Sequence, residues 1–159
     1  MIKECRSVHM GWIVCCIICG SVGTTTTNTT TDEPNCSQYS SVSILRELYN
    51  STGGPSWTNQ TPQWASTNTS DDACPCTGWF GVSCDASKSY VTMLSLKSNN
   101  LSGTLPSSLA CLRNITSIDV RYNWLRGTLP SAFSSWTKLT TFNVGSNNFT
   151  GELPVAYSS

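Results

Sequence analysis

Histidine is all but missing from this sequence. His9 is the only one, and it lies in a leader segment expected to be removed. Without imidazole there is no histidine general base, no histidine-dependent triad and no His-ligated zinc site. Charge is scarce too: Asp, Glu, Lys and Arg make up 11% of the 159 residues, and the formal net charge is zero. Such a chain offers no basic face to displace phosphate counterions, which argues against a nucleic-acid partner. Long apolar runs are also lacking. The longest, residues 10–19 (MGWIVCCIIC), falls short of the roughly 20 residues that a membrane-spanning helix takes. The chain is rich instead in hydroxyls, sulfur and indole, with 46 serines and threonines, nine cysteines and six tryptophans. The cysteines and tryptophans argue against intrinsic disorder, and the length leaves room for one domain.

The apolar run follows Lys3 and Arg6 and ends in Gly20, Ser21, Val22 and Gly23. A basic start, a short apolar centre and a small-residue exit describe a secretory signal peptide over residues 1–23. The alternative is a retained signal anchor. Residues 24–35, with the run TTTTNTTT, read as a Thr-rich linker that cannot bury apolar area. No later stretch reads as a membrane span or as the tail of a GPI signal. A membrane is therefore expected only through a retained leader or through an anchor beyond these residues.

Sequons and cysteines point to the same oxidising, secretory compartment. Asn-x-Ser/Thr occurs at Asn28, Asn35, Asn50, Asn59, Asn68, Asn100, Asn114 and Asn148, never with proline between. Each marks a surface position on the secretory route. Five cysteines follow the leader: Cys36, Cys74, Cys76, Cys84 and Cys111. One residue between Cys74 and Cys76, with no histidine to help, is poor zinc spacing. Disulfides are the better reading, with Cys76–Cys84 as a local staple and Cys36–Cys74 as a longer one. An exchange of Cys74 and Cys76 between the two bridges stays open. Cys111 is then left over, as a small apolar residue or an intermolecular bridge.

Residues 36–86 are not periodic. Val42, Ile44, Leu45, Leu48 and Tyr49 recur at helical spacing, with Ser40 or Ser41 as cap and Ser51-Thr52-Gly53-Gly54-Pro55 as stop. Trp57, Trp64 and Trp79 follow. They are read as covering the end of a core rather than as a sugar platform, because large aromatics dominate small cores. The segment from Gly78 to Asp85 reads as a short strand held by a disulfide.

From residue 91 the chain repeats. Leu94-x-Leu96-x-x-Asn99-x-Leu101-x-Gly103-x-Leu105-Pro106 returns from Ile118 to Pro130 and from Phe142 to Pro154, 24 residues apart each time. Val91, Ile115 and Leu139 keep the same period, as do Leu109, Phe133 and Tyr157. This pattern is that of an α/β leucine-rich-repeat solenoid. It predicts three repeats over residues 87–159, with cores at 94–106, 118–130 and 142–154, behind a disulfide-stapled N-terminal cap over 36–86. Each Leu-x-Leu segment is expected to form a parallel strand with its apolar residues inward. Asn99, Asn123 and Asn147 fall where the chain leaves the strand, and their amides are expected to pair with backbone groups there. The third copy stops at Ser159, inside the repeat unit. Truncation of a longer array is the expectation, or else self-association through an uncapped end.

The LxGxLP ending resembles plant-type leucine-rich repeats. The segment from Leu48-Tyr49-Asn50 through Gly53-Gly54-Pro55-Ser56-Trp57 to Trp79-Phe80-Gly81-Val82-Ser83-Cys84-Asp85 resembles the N-terminal cap of that class. The Thr-rich tract beside the cap is similar to that of trypanosomatid promastigote surface antigens. These resemblances imply extracellular recognition: receptor ectodomains, secreted inhibitors of cell-wall hydrolases, or host-contact surface antigens. A fold alone does not supply the function.

Outward positions of the inner sheet are the candidate ligand contacts: Lys97, Asp119, Arg121, Tyr122 and Asn143, among Ser95, Ser98, Gly145 and Ser146. Trp124 beside Tyr122 and Arg121 completes a combination enriched at binding hot spots. The expected partner is an extracellular protein or a glycan. The alternative is a glycosylated coat component whose role is shielding. No catalytic constellation is found, since Asp71-Asp72 sits in a polar loop and Asp119 has no second acid at a defined distance. No metal and no cofactor are expected.

Overall fold

The computed structural model describes residues 33–66 and 75–152. Helix α1 (Ser41–Ser51) begins where hydroxyls can satisfy its free amides. Ser40 Oγ accepts from the Ser43 amide at 3.1 Å and Ser43 Oγ accepts from the Ser40 amide at 2.9 Å, a reciprocal cap. One face of α1 buries Val42, Ile44, Leu45, Leu48 and Tyr49. The helix ends as Gly53 takes φ +69°, a left-handed conformation open to glycine.

Short helix α2 (Pro62–Ala65) then brings Trp64 under α1. Trp57, Trp64 and Trp79 are all at least 96% buried. Trp64 packs edge-on to both others at 4.8 Å between ring centres, and Trp57 meets Tyr49 at 5.2 Å. The Trp57 and Trp64 indole N–H groups donate to the carbonyls of Thr52 and Phe80, so these two rings are buried with their polar edge satisfied, while the buried Trp79 N–H finds no partner among the described residues.

Strand β1 (Val82–Cys84) pairs antiparallel with β2 (Val91–Ser95). Beyond it the inner sheet is parallel: β2, then β4 (Ser117–Asp119), then β6 (Thr141–Asn143). Leu94 pairs with Ile118 and Ile118 with Phe142; Ser95 pairs with Asp119 and Asp119 with Asn143. The register thus follows the sequence period. A second parallel sheet, β3 (Ser102–Gly103), β5 (Trp124–Gly127) and β7 (Asn148–Phe149), runs alongside. Between the sheets lie Leu94, Leu96, Leu101, Val120 and Leu125, with no exposed surface. Gly103 shows why the repeat needs glycine after this turn. Its φ is +111°, and a Cβ would meet the Ser51 carbonyl.

The asparagines form the expected ladder. Asn123 Oδ1 accepts from the amides of Asn99 and Leu101, and its Nδ2 donates to the carbonyls of Leu96 and Val120. Asn147 repeats the pattern toward Leu125, Val120 and Val144. Asn99 reaches back in the same direction, to the backbone of Asn59. The N-terminal segment therefore supplies the rung before the first repeat. Leu153-Pro154, Tyr157, the leader and the Thr-rich tract lie outside the described residues, as do Asn28 and Asn68.

The long disulfide corrects the sequence expectation. Cys36 bonds Cys111, across 75 residues, and Cys76 bonds Cys84. Cys36–Cys74 is overturned, and Cys111 is not the odd cysteine. The cause is docking: α1 packs on the 3-10 turn Ser107–Cys111, where Ser108 Oγ donates to Glu47 at 2.6 Å. The residue just ahead of α1 is thereby carried to the end of that turn. Cys74 lies outside the described residues.

The two loops closed differ in length, so the bridges should differ in worth. By loop-closure entropy, removing Cys36–Cys111 with a C36S/C111S pair costs about 4.5 kcal/mol, against about 2.5 kcal/mol for C76S/C84S. Guanidinium unfolding of the two variants checks this order, and equal losses would count against it.

Candidate functional site

The inner sheet presents a column of outward side chains because strand residues alternate in facing. Leu94 and Leu96 point into the core, so Met93, Ser95 and Lys97 point out. In register beside them stand Ser117, Asp119 and Arg121, then Thr141, Asn143 and Gly145. Five of the six expected residues meet here. Arg121 grips Asp119 with two bonds, Nε to Oδ1 at 3.0 Å and Nη2 to Oδ2 at 2.7 Å. Lys97 Nζ stands 5.3 Å from the centre of the Tyr122 ring, within cation–π range. Asn143 is the next residue along the sheet from Asp119.

The Arg121 hydrogen bonds hold the Asp119 carboxyl below its ordinary value of 3.8, against a smaller opposing effect of burial. The same bonds raise the Arg121 guanidinium. With Asp119 side chain at 17% and Arg121 at 38% exposure, the pair lies partly in water and fixes the orientation of both groups more than it stabilises the fold.

Tyr122 is the unusual member. It sits at φ +57°, and its counterparts in the neighbouring copies, Ser98 and Ser146, are also left-handed. The turn off each strand imposes this conformation, which costs a bulky side chain roughly 1–3 kcal/mol. Here the side chain is an aromatic ring left 56% exposed.

Trp124 does not join this group. It lies on β5, in the second sheet, and is 72% exposed. With Arg126, Ser146 and Asn148 it lines an open groove of about 420 Å³. Conversely, Met93 belongs on the inner face and is 42% exposed, yet sequence reasoning misses it. The two-residue alternation carried one step back from Ser95 finds it. Among the described residues no group of three or more His, Cys, Asp or Glu side chains is placed to hold a metal. No helix among them is long and apolar enough to cross a membrane.

Comparison with known proteins agrees with this architecture. The Leucine Rich Repeat family model matches residues 90–112 and 114–136. Among solved structures, the BIR2 ectodomain from Arabidopsis thaliana is similar at 28% identity and TM-score 0.60, over 71% of this chain and 58% of that one. A chain of the Arabidopsis BIR3–SERK2 complex is similar at 31% identity and TM-score 0.60, over 71% and 59%. The structure of the Arabidopsis receptor kinase HAESA with the peptide hormone IDA and the co-receptor SERK1 gives 31% identity and TM-score 0.58, over 71% and 18%. The chain thus spans less than two thirds of each of these relatives. No curated protein sequence matches.

Asp119 provides a direct check on the site. Its native carboxyl is depressed, so whatever stability it contributes is present above the unfolded value and lost as pH falls through the lower folded value. Carboxyl NMR titration should find Asp119 below 3.8, and R121Q should return it toward that value. An unchanged midpoint in R121Q would show that the pair does not hold in solution. Taken with the match of the leucine-rich-repeat model, the described residues fold as a leucine-rich-repeat solenoid that resembles the ectodomains of plant receptor kinases.

Proposed function

We propose that this chain is an extracellular recognition module that binds a protein partner on its inner sheet. The observation that carries this is Tyr122, a large ring kept in a costly left-handed position with most of its surface in water. Packing does not account for it, since the ring makes no core. Around it, Lys97 and the Asp119–Arg121 pair supply oriented charge, and Met93 supplies apolar surface. Aromatic and arginine side chains of this kind dominate protein-binding hot spots. The similarity to receptor-kinase ectodomains, one of them in complex with a peptide hormone and a co-receptor, supports the same reading.

The rest of the chain fits a secreted or surface protein. Residues 1–23 act as signal peptide, residues 24–35 as linker, and residues 36–86 as the cap that shields the first repeat. Burial of the three tryptophans and the Asn59 rung support that capping role. The Thr-rich tract behind the likeness to trypanosomatid surface antigens lies outside the described residues. A shielding coat is favoured by one observation: Asn35, Asn50, Asn59, Asn100 and Asn148 are all exposed, and Asn114 is half-buried.

Peptide-display selection against the secreted, immobilised chain tests the proposal. Selected peptides should bind tenfold or more weakly to Y122N and to R121A, and equally to R113A, which lies away from the inner sheet. Asparagine tolerates the left-handed backbone, so Y122N should unfold no earlier than the parent, which separates lost binding from lost fold. Peptides indifferent to both substitutions would place recognition elsewhere. Failure to select any, with every exposed sequon glycosylated, would favour the coat.

A further inference from the structure

We propose that the N-glycan carried by Asn148 lays its first sugar against the exposed face of Trp124. The inference rests on the secretory reading above and goes beyond it. Asn148-Phe149-Thr150 is a sequon, and Asn148 and Thr150 are exposed. The Asn148 side-chain amide has no hydrogen-bond partner among the described residues. Its counterpart two copies earlier differs: Asn100 holds φ +59° and donates from Nδ2 to the Ser56 carbonyl at 2.8 Å.

Strand register brings the acceptor to the indole. Asn148 on β7 pairs with Arg126 on β5. Trp124 is two residues back on β5, so it faces the same side as Arg126, and both are exposed while Leu125 between them is buried. Asn148 and Trp124 are therefore diagonal neighbours on one sheet face, a separation of roughly 7–8 Å that a large side chain bridges. Both line the same open groove. The Trp124 backbone is held, its amide donating to the Leu101 carbonyl at 2.8 Å, which fixes the point on the sheet from which the indole projects.

The chemistry suits a sugar better than water. An N-linked chain begins with N-acetylglucosamine, whose axial C–H groups form an apolar ring face. The negative face of an indole attracts such polarised C–H groups. Arg126 and Ser146 at the groove edge offer donors and an acceptor to the hydroxyl and acetamido groups. A sugar in this place accounts for a tryptophan left 72% exposed on a chain with few charges. It also takes Trp124 out of the ligand face and leaves Tyr122, Arg121 and Lys97 as the recognition surface.

The test uses the whole secreted chain from a host making only oligomannose glycans. Portions are left intact, cut by an endoglycosidase that leaves one N-acetylglucosamine, or stripped by an amidase. A T150A variant removes the sequon and keeps Asn148. Trp124 oxidation by N-bromosuccinimide is followed by site-resolved peptide mass spectrometry. The intact and single-sugar forms should react at least threefold more slowly than the stripped form and T150A. Equal rates in all four, or an unmodified Asn148 while Asn50 or Asn59 carries glycan, would overturn the proposal and leave the secretory reading standing. Absence of glycan at every sequon would overturn both.

Discussion

Each turn of this molecule leaves its strand the same way, and that departure strands backbone amides and carbonyls inside the core. The asparagine ladder exists to meet them. A buried unpaired amide costs roughly 1–3 kcal/mol, and Asn123 alone satisfies two amides and two buried carbonyls. Remove that satisfaction and the leucines around it could not stay buried, because their own backbone would need water. Burial of Leu96, Leu101 and Leu125, the parallel register and the shape of the inner sheet all depend on it. The ladder also explains why the N-terminal segment fits without being a repeat. Asn59 offers its own amide and carbonyl to Asn99, so the joint is made through backbone and does not require the repeat wording.

The repeats were legible because translation along a solenoid turns one residue choice into a column. Leu94, Ile118 and Phe142 pair in the structure as they align in the sequence. Helix α1 was legible for the opposite reason: its cap, apolar face and stop are all local. What escaped reading depends on two segments meeting. The partner of Cys36 follows from the docking of α1 on a turn some 60 residues later, and no spacing encodes that. Trp124 looked like a neighbour of Tyr122 because the two are close in sequence. The chain changes sheet between them, and the aromatic pair is divided between two surfaces. Met93 escaped for a lesser reason, since the strand begins earlier than the repeat motif does.

Strain and the proposed recognition surface meet at one position. The left-handed turn residue is serine in the first and third copies and tyrosine in the second, so the backbone asks for something small and receives something large. Selection for stability alone would not keep a ring there. The Asp119–Arg121 pair shows the same balance in milder form: Asp119 accepts from both the Arg121 guanidinium and the Arg121 amide, so both charges are held in place on the outer face of the strand. Together they make a surface arranged in advance, which lowers the ordering cost that any partner must overcome.

The Cys36–Cys111 bridge has a mechanical consequence. Tension applied through the Thr-rich segment enters the described structure ahead of Cys36. From there it passes straight to Cys111 without crossing the 75 residues between them. Helix α1, the tryptophan cluster and the first inner strand lie off the line of force. Roughly 250 Å of chain, at the extended length per residue, is withheld from stretching while the bond is intact. A pull would be felt first by the second copy and its successors, and the N-terminal segment would keep its shape as a rigid handle.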